Sequence, residues 1–251
     1  MSRPTDQTSE YSTHWFETFA DTIDPAQTRR EAAFIAGLVP TGSRAVLDVC
    51  CGRGRHAAVL SEMSLEVLGI DRSAGALAHA RERAPRCRFI EGDTTNPPRL
   101  DERFGVVCCL WQSFGYGDDA QNERLLWWMI EHALPEGCVV LDLYNPAFFR
   151  TRLKPRSGRL GGTSFVERKR IRDGRLRVEI EYEDGTPTDV FVWRLYTPEA
   201  LDAIAARLGW RVARACTGFD AANEPTANSP RTQYVFRRER EASTGRGAPT
   251  R

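Results

Sequence analysis

Short apolar runs alternate with segments of helical periodicity over the first 145 residues of the chain. Runs that are apolar throughout predict strands buried on both faces, and intervening helices predict parallel crossovers. The predicted strands are residues 45–50, 65–70, 88–90, 105–110 and 138–143, and the predicted helices are 56–63, 74–83 and 119–133. The pattern therefore predicts an α/β fold with a doubly wound, mostly parallel sheet.

The pattern changes after Asn145. Residues 163–171, 176–183 and 188–195 alternate apolar and polar positions, with Asp-Gly turns at 173–174 and 184–185. This alternation predicts an antiparallel meander. Thr197 and Pro198 then suit the start of a helix, and residues 210–216 and 232–236 predict two final strands.

These segments predict five regions. Residues 1–30 carry aromatic residues at helical spacing and predict a helical lid. Residues 31–145 form a ligand-binding core, and residues 146–195 form an antiparallel β insertion that caps it. Residues 196–240 complete the core sheet, and the polar tail 241–251 is expected to be disordered.

Composition narrows the function classes. Lys plus Arg number 35 against 34 Asp plus Glu, so no global basic excess favours a nucleic-acid partner. The mean hydropathy is −0.45, and no apolar run approaches the ~20 residues that span a bilayer. The first residues lack an apolar signal stretch, so we expect a cytoplasmic protein. The seven cysteines show no CxxC or zinc spacing, which predicts buried thiols and no metal site.

The segment VLDVCCGRGRHA (46–57) carries the chemistry. A predicted strand enters Gly52-x-Gly54 and a helix follows, so a ligand can approach the backbone there. Asp48 disfavours a pyrophosphate and suits an ammonium or sulfonium group. Asp71 ends the second strand, where a carboxylate accepts ribose hydroxyls, and Asp93 after the third strand can accept an adenine amine. S-adenosylmethionine fits all three carboxylates.

These segments resemble class I S-adenosylmethionine-dependent methyltransferases of the bacterial small-molecule type. The matching stretches are VLDVCCGRGRHA, EVLGID, RFIEGD, FGVVCCLWQSFGY, LPEGCVVLDLYNP and RLYTPEALDAIAARLGW. The resemblance implies a seven-stranded Rossmann-like sheet of order 3-2-1-4-5-7-6 whose last strand is antiparallel. The family often has glycine where Cys50 and Cys51 stand here.

The resemblance also implies a cofactor site. It places Asp48, Gly52 and Gly54 near the methionine moiety, Asp71 on the ribose, and Asp93 with Thr94 by the adenine. Arg55 either reaches the cofactor carboxylate or is a solvated helix charge. The full predicted cofactor-binding set is Asp48, Cys50, Gly52, Gly54, Arg55, Asp71, Arg72, Asp93, Thr94 and Leu110.

The acceptor side is predicted from three segments. The loop after the fourth strand contains Ser113, Phe114 and Tyr116, and the resemblance places it beside the sulfonium. Tyr11 belongs to the predicted lid. Arg194 and Tyr196 end the meander, where Arg194 suits a carboxylate or phosphate acceptor or else pairs with an acid such as Glu181. The predicted catalytic residues are therefore Tyr11, Ser113, Phe114, Tyr116, Arg194 and Tyr196.

The sequence thus predicts methyl transfer from S-adenosylmethionine to nitrogen or oxygen of a small molecule, with S-adenosylhomocysteine as the product. The acceptor class is an amino acid, an amino sugar or a secondary metabolite. The alternatives are cyclisation or aminocarboxypropyl transfer from the same cofactor, and methylation of RNA or protein. Asp48 disfavours a nicotinamide-dependent reductase. We expect a monomer or homodimer without a membrane partner.

Overall fold

The computed structural model describes residues 22–160 and 162–239, which form six helices and two β-sheets. The predicted lid residue Tyr11 and the tail 241–251 lie outside the described residues. The helices are α1 (Pro25–Ala36), α2 (Arg55–Glu62), α3 (Ala74–Arg83), α4 (Asp119–Glu131), α5 (Pro146–Phe149) and α6 (Pro198–Ala206). The strands are β1 (Ala45–Val49), β2 (Glu66–Asp71), β3 (Arg88–Glu91), β4 (Phe104–Cys109), β5 (Ala133–Tyr144), β6 (Arg156–Leu160), β7 (Thr163–Arg172), β8 (Arg175–Tyr182), β9 (Asp189–Arg194), β10 (Trp210–Cys216) and β11 (Arg231–Arg238).

The larger sheet has seven strands in the order β3-β2-β1-β4-β5-β11-β10. Strands β1 to β5 pair in parallel, whereas β11 is antiparallel to both β5 and β10. Because β10 and β11 are the sixth and seventh strands of this sheet, the predicted order 3-2-1-4-5-7-6 is confirmed. We call this unit the core sheet.

Both faces of the core sheet are buried, as its apolar runs require. Successive residues of a strand point to opposite faces, and the packing follows this rule. Leu47 and Val107 belong to one buried cluster, whereas their neighbours Val46 and Val106 belong to the other. Because strands β1 to β5 are parallel, their carboxyl ends meet at one edge of the sheet.

The antiparallel insertion after β5 is also confirmed. Strands β6 to β9 form a four-stranded sheet in sequential order, which we call the cap sheet. Strands β7, β8 and β9 match the predicted meander. Strand β6 was not predicted, because its sequence RSGRL lacks alternating apolar positions. Its glycine lies beside Phe165 of β7: a Cβ at Gly158 would lie 2.8 Å from the Phe165 ring.

Helix boundaries follow local capping chemistry. Thr197 accepts a hydrogen bond from the Ala200 amide and Pro198 occupies the first turn of α6, as predicted. Asp24 caps α1, whose residues Ala32 and Ile35 are fully buried. The predicted boundary at residue 30 therefore falls within a helix that packs on the core.

Two further expectations concern cysteines and membranes. Five of the seven cysteines are buried, and Cys50 and Cys87 are half-buried; none is in a disulfide. Within residues 22–160 and 162–239, no helix is long and apolar enough to cross a membrane, and no group of three or more His, Cys, Asp or Glu is placed to hold a metal ion.

Candidate active site

A cavity of about 1450 Å³ lies between the carboxyl edge of the core sheet and the cap sheet. One end is lined by the loops after β1, β2, β3 and β4, and the other by β5, α5 and the inner face of the cap sheet. We call these the core end and the cap end. Cavities that join a few polar groups to apolar walls are typical of small-molecule sites.

The glycine loop after β1 is fixed by backbone geometry. Cys50, Gly52 and Gly54 all have positive φ, at 61°, 53° and 68°. The Gly52 amide donates to Asp71 Oδ2 at 2.8 Å, and the Ser73 amide donates to Asp71 Oδ1 at 2.9 Å. Asp71 therefore holds the loop after β1 to the start of α3, while its carboxylate still faces the cavity.

Asp48 lies at the floor of the core end and is 1% exposed. Its Oδ1 accepts a weak bond from the Cys108 thiol at 3.8 Å, and its Oδ2 has no hydrogen-bond partner among the described residues. Burial raises the pKa of Asp48 to about 7, opposed by the charge of Arg55 and reinforced by that of Asp71. A cationic ligand would satisfy this buried oxygen and favour the ionised carboxylate.

A buried acid from α1 organises the wall beside Asp48. Glu31 is 1% exposed, and it accepts hydrogen bonds from Arg55 at 2.7 Å, His56 at 2.8 Å and the Trp111 indole at 2.8 Å. Burial alone raises the pKa of Glu31, but the hydrogen bond from His56 and the charge of Arg55 outweigh it and lower the pKa to about 2. Burial also lowers the pKa of His56 to about 4. At neutral pH, His56 is therefore a neutral donor to an ionised carboxylate.

A second buried acid holds the loop after β4. Trp111 and Gln112 both have a φ of 57°, which is strained for residues other than glycine. Asp142 accepts from the Trp111 amide at 3.0 Å and from the Gln112 side chain at 3.2 Å. Arg231 of β11 donates to the same carboxylate at 2.7 Å and also lies 3.6 Å from Glu31. These contacts connect α1, β5 and β11 behind the cavity wall.

Most predicted site residues line the cavity. At the core end they are Asp48, Cys50, Gly52, Arg55, Asp71, Arg72, Asp93, Thr94 and Leu110, followed by Ser113 and Tyr116 from the loop after β4. Arg55 is not a solvated helix charge. It pairs with Glu31 and lies over the Trp111 ring, with 4.3 Å between the guanidinium carbon and the ring centroid.

Four predicted residues are placed elsewhere. Phe114 and Tyr196 pack against each other in the core, with ring centroids 5.6 Å apart, and neither lines the cavity as predicted. Arg194 points away from the cavity, where it pairs with Asp119 and donates to the Asp173 carbonyl. It does not pair with Glu181, whose partner is Arg168. Gly54 lies beneath the loop, packed against Ala80 and Phe89, and does not line the cavity.

The sequence predicts the cap but not the residues that line its end of the cavity. The inner face of β7 brings Phe165, Glu167 and Lys169 to the cavity, and Phe191 and Trp193 follow from β9. On the outer face of the cap sheet, Arg168 of β7 pairs with Glu181 of β8. The sequence feature that could have identified these residues is the alternation along β7. Because successive side chains of a strand point to opposite faces, Phe165, Glu167 and Lys169 share one face.

Comparison with known proteins gives a consistent result. Residues 46–137 match a family model described as a methyltransferase domain. The dTDP-3-amino-3,6-dideoxy-alpha-D-glucopyranose N,N-dimethyltransferase of Streptomyces fradiae is 37% identical over 117 residues, which cover 45% of this chain and 46% of that protein. A glycine/sarcosine N-methyltransferase of Halorhodospira halochloris is 31% identical over 57% of each chain. The chain thus spans about half the length of the curated relatives it matches.

Solved structures are similar over nearly the whole chain. The CcbJ methyltransferase from Streptomyces caelestis has a TM-score of 0.72 and 23% identity, covering 87% of this chain and 98% of that one. The sugar N-methyltransferase KedS8 from a Streptoalloteichus species has a TM-score of 0.68 and 25% identity, covering 95% and 97%. The shared fold therefore includes the cap sheet as well as the core sheet.

Proposed function

We propose that this chain is an S-adenosylmethionine-dependent methyltransferase, because residues 46–137 match a methyltransferase domain model and its fold is similar to that of solved methyltransferases. Its acceptor would be a small molecule methylated at nitrogen or oxygen. The observation that carries the proposal is the row of carboxylates Asp48, Asp71 and Asp93 at three adjacent strand ends, all lining one cavity.

The residues present fit this cofactor. The Oδ2 of Asp48, which has no hydrogen-bond partner in the described part of the chain, would face the cationic methionine end. Asp71 uses one lone pair of each oxygen on backbone amides, which leaves further acceptor capacity for two ribose hydroxyls. Asp93 and Thr94 would contact the adenine. When bound, the cofactor supplies an electrophilic methyl group on a sulfonium.

The chain's own contribution would be orientation and exclusion of water. Methyl transfer is an in-line displacement, so holding the acceptor lone pair in line with the methyl group removes much of the entropic barrier. The Trp193 ring packs against Tyr116 and Tyr144, with centroids 5.3 and 4.9 Å apart, where the core end meets the cap end. Burial raises the pKa of Tyr144 to about 12, so its hydroxyl stays protonated and can donate to the acceptor.

The direct test is calorimetry with S-adenosylhomocysteine, followed by incubation with methyl-labelled S-adenosylmethionine and candidate amines and alcohols. Binding and labelled product support the proposal, and absence of binding contradicts it. Release of methylthioadenosine would indicate cyclisation or aminocarboxypropyl transfer instead. Transfer of label to RNA or protein would indicate a macromolecular acceptor. We expect a cytoplasmic monomer or homodimer, which sedimentation and fractionation would test.

Asp71→Ala is expected to weaken S-adenosylhomocysteine binding by about 1–3 kcal/mol, because it removes a charged hydrogen-bond acceptor and releases the glycine loop. Calorimetry measures the change. Glu91→Ala is the matched control, since Glu91 ends the neighbouring strand β3 in register with Asp71 but does not line the cavity. Equal affinities of Asp71→Ala and the wild type would contradict the assignment.

A further inference from the structure

The two ends of the cavity differ in charge. At the core end, the carboxylates Asp48, Asp71 and Asp93 lie among the guanidinium groups of Arg53, Arg55, Arg72 and Arg83, so opposite charges nearly balance there. Among the described residues, the cap end carries four cationic side chains (Arg152, Lys154, Arg156 and Lys169) against one acid, Glu167. An acceptor seated at the cap end therefore meets a net positive surface, although the whole chain has a formal net charge of only +1.

The centre of this surface is a built cluster. Glu167 and Lys169 lie two residues apart on β7, so both point into the cavity, and they form an ion pair with side chains only 11% and 15% exposed. Arg156 lies directly opposite Glu167 in the β6–β7 register and contacts the same carboxylate at 3.3 Å. One acid thus holds two cations in place and neutralises only one of them.

We propose that the acceptor carries an anionic group, a carboxylate or a phosphate, which binds at the cap end to Lys169 and Arg156, with Lys154 adding a third positive charge. This inference rests on the proposed function, because it assigns a substrate class to the same cavity. Arg156 and Lys169 retain unused donors beyond those facing Glu167, as an oxyanion requires. The neighbouring rings of Phe165 and Trp193 would pack against the uncharged part of the acceptor.

The alternative for Glu167 is recognition of an acceptor ammonium. The geometry disfavours it, since both carboxylate oxygens of Glu167 already face cations of the chain itself. A further ammonium would add a third positive charge to one buried acid. An incoming anion instead balances the excess.

The test uses the full chain saturated with S-adenosylhomocysteine, and pyrophosphate and succinate as probes. Binding is followed by ³¹P and ¹H NMR titration, and the two arms distinguish a phosphate from a carboxylate site. We expect at least one probe to bind. Lys169→Gln and Arg156→Gln should each weaken it on the order of tenfold, the usual effect of losing a charged hydrogen bond.

Arg168→Gln is the matched control. It removes one positive charge from the same strand, but Arg168 faces outward and is half exposed, paired with Glu181. We expect the affinity of the Arg168→Gln variant for the probe to stay within twofold of the wild-type affinity. Arg156 is itself 65% exposed at the side chain, so Arg156→Gln is expected to fold even where Lys169→Gln does not, and melting curves check both.

Three outcomes would overturn the inference: neither probe binds, folded Lys169→Gln and Arg156→Gln bind as the wild type does, or Arg168→Gln loses as much affinity as they do. S-adenosylhomocysteine binding is measured first and separates the two proposals. A chain that binds it but neither probe refutes the anion site alone, whereas a chain that does not bind it refutes the proposed function.

Discussion

Gly54 shows how a residue can support the glycine loop without lining the cavity. Its φ is +68°, and a Cβ there would lie 2.9 Å from Ala80 Cβ of α3. Gly54→Ala is therefore expected to lower the free energy of unfolding by about 1–3 kcal/mol, measured by urea denaturation. Gly75→Ala is the control, since Gly75 lies in α3 and a Cβ there would lie 4.0 Å from its nearest described neighbour, Ser73 Oγ, so no stability should be lost. Equal effects of the two substitutions would contradict this account.

His56 gives the molecule a predictable dependence on pH. Its pKa is about 4 in the folded chain against an ordinary value of 6.5, so the unfolded chain binds more protons between these values. Neutral His56 therefore makes its full contribution to the free energy of unfolding above about pH 6.5, and this contribution is lost as the pH falls toward 4. Glu31 also makes the chain less stable as the pH falls below 4.5, because its pKa is lowered to about 2 in the folded state.

We expect the unfolding free energy to fall by about 2 kcal/mol between pH 7 and pH 5 through His56. Denaturation at several pH values measures it. His56→Gln should flatten the curve in this range, whereas His79→Gln, at an exposed position of α3, should leave the slope unchanged. Parallel curves for the wild type and His56→Gln would show that His56 does not titrate as described.

The residues that sequence reasoning located, and those it misplaced, differ in how many elements fix them. Asp48 and Asp71 end parallel strands, and such ends meet at one edge of the sheet, so their convergence follows from local pattern alone. Phe114, Tyr196 and Arg194 follow strand ends too, but their direction depends on how the cap sheet packs against the core sheet. Nothing local in the sequence encodes that packing.

At the scale of elements, α1 connects the N-terminal part of the chain to the cavity wall. Its acid Glu31 looks like an ordinary charged helix position in sequence, because its partners Arg55, Trp111 and Arg231 lie 24 to 200 residues away along the chain. The strands and helices were predictable from periodicity, whereas this attachment is tertiary. It places α1 within the core despite a predicted lid boundary at residue 30.

Glu31→Gln is expected to loosen α1 selectively. The substitution removes the carboxylate that pairs with Arg55, while Arg231 keeps its ion pair with Asp142, and losing one partner of a buried pair costs roughly 3 kcal/mol. Hydrogen exchange should show faster exchange of amides 26–36, with β4 and β5 unchanged. Arg30→Gln, at an exposed position of the same helix, is the control. Full protection of α1 in Glu31→Gln would show that packing alone holds the helix.

At the scale of the whole molecule, the cavity exists because two sheets are joined beside it. The Trp193 indole of the cap sheet donates to the Gln112 carbonyl in the loop after β4 at 2.9 Å, and the Arg194 amide donates to the Gly115 carbonyl at 2.8 Å. The same loop is held to the core sheet by Asp142. The loop after β4 is thus the common support of the core end and the cap end.

Trp193→Phe is expected to weaken this support while sparing the core end. Losing one buried hydrogen bond costs about 1 kcal/mol, and the cap strands β7 and β8 should exchange their amide hydrogens faster, with β1 and β4 unchanged. S-adenosylhomocysteine affinity should stay within about twofold, because Trp193 lines only the cap end. Trp127→Phe is the matched control: its indole donates to the Ile204 carbonyl at 3.1 Å, away from the cavity. It should cost similar stability without altering exchange in the cap sheet, and equal cap exchange in both variants would contradict a specific role for the Trp193 contact.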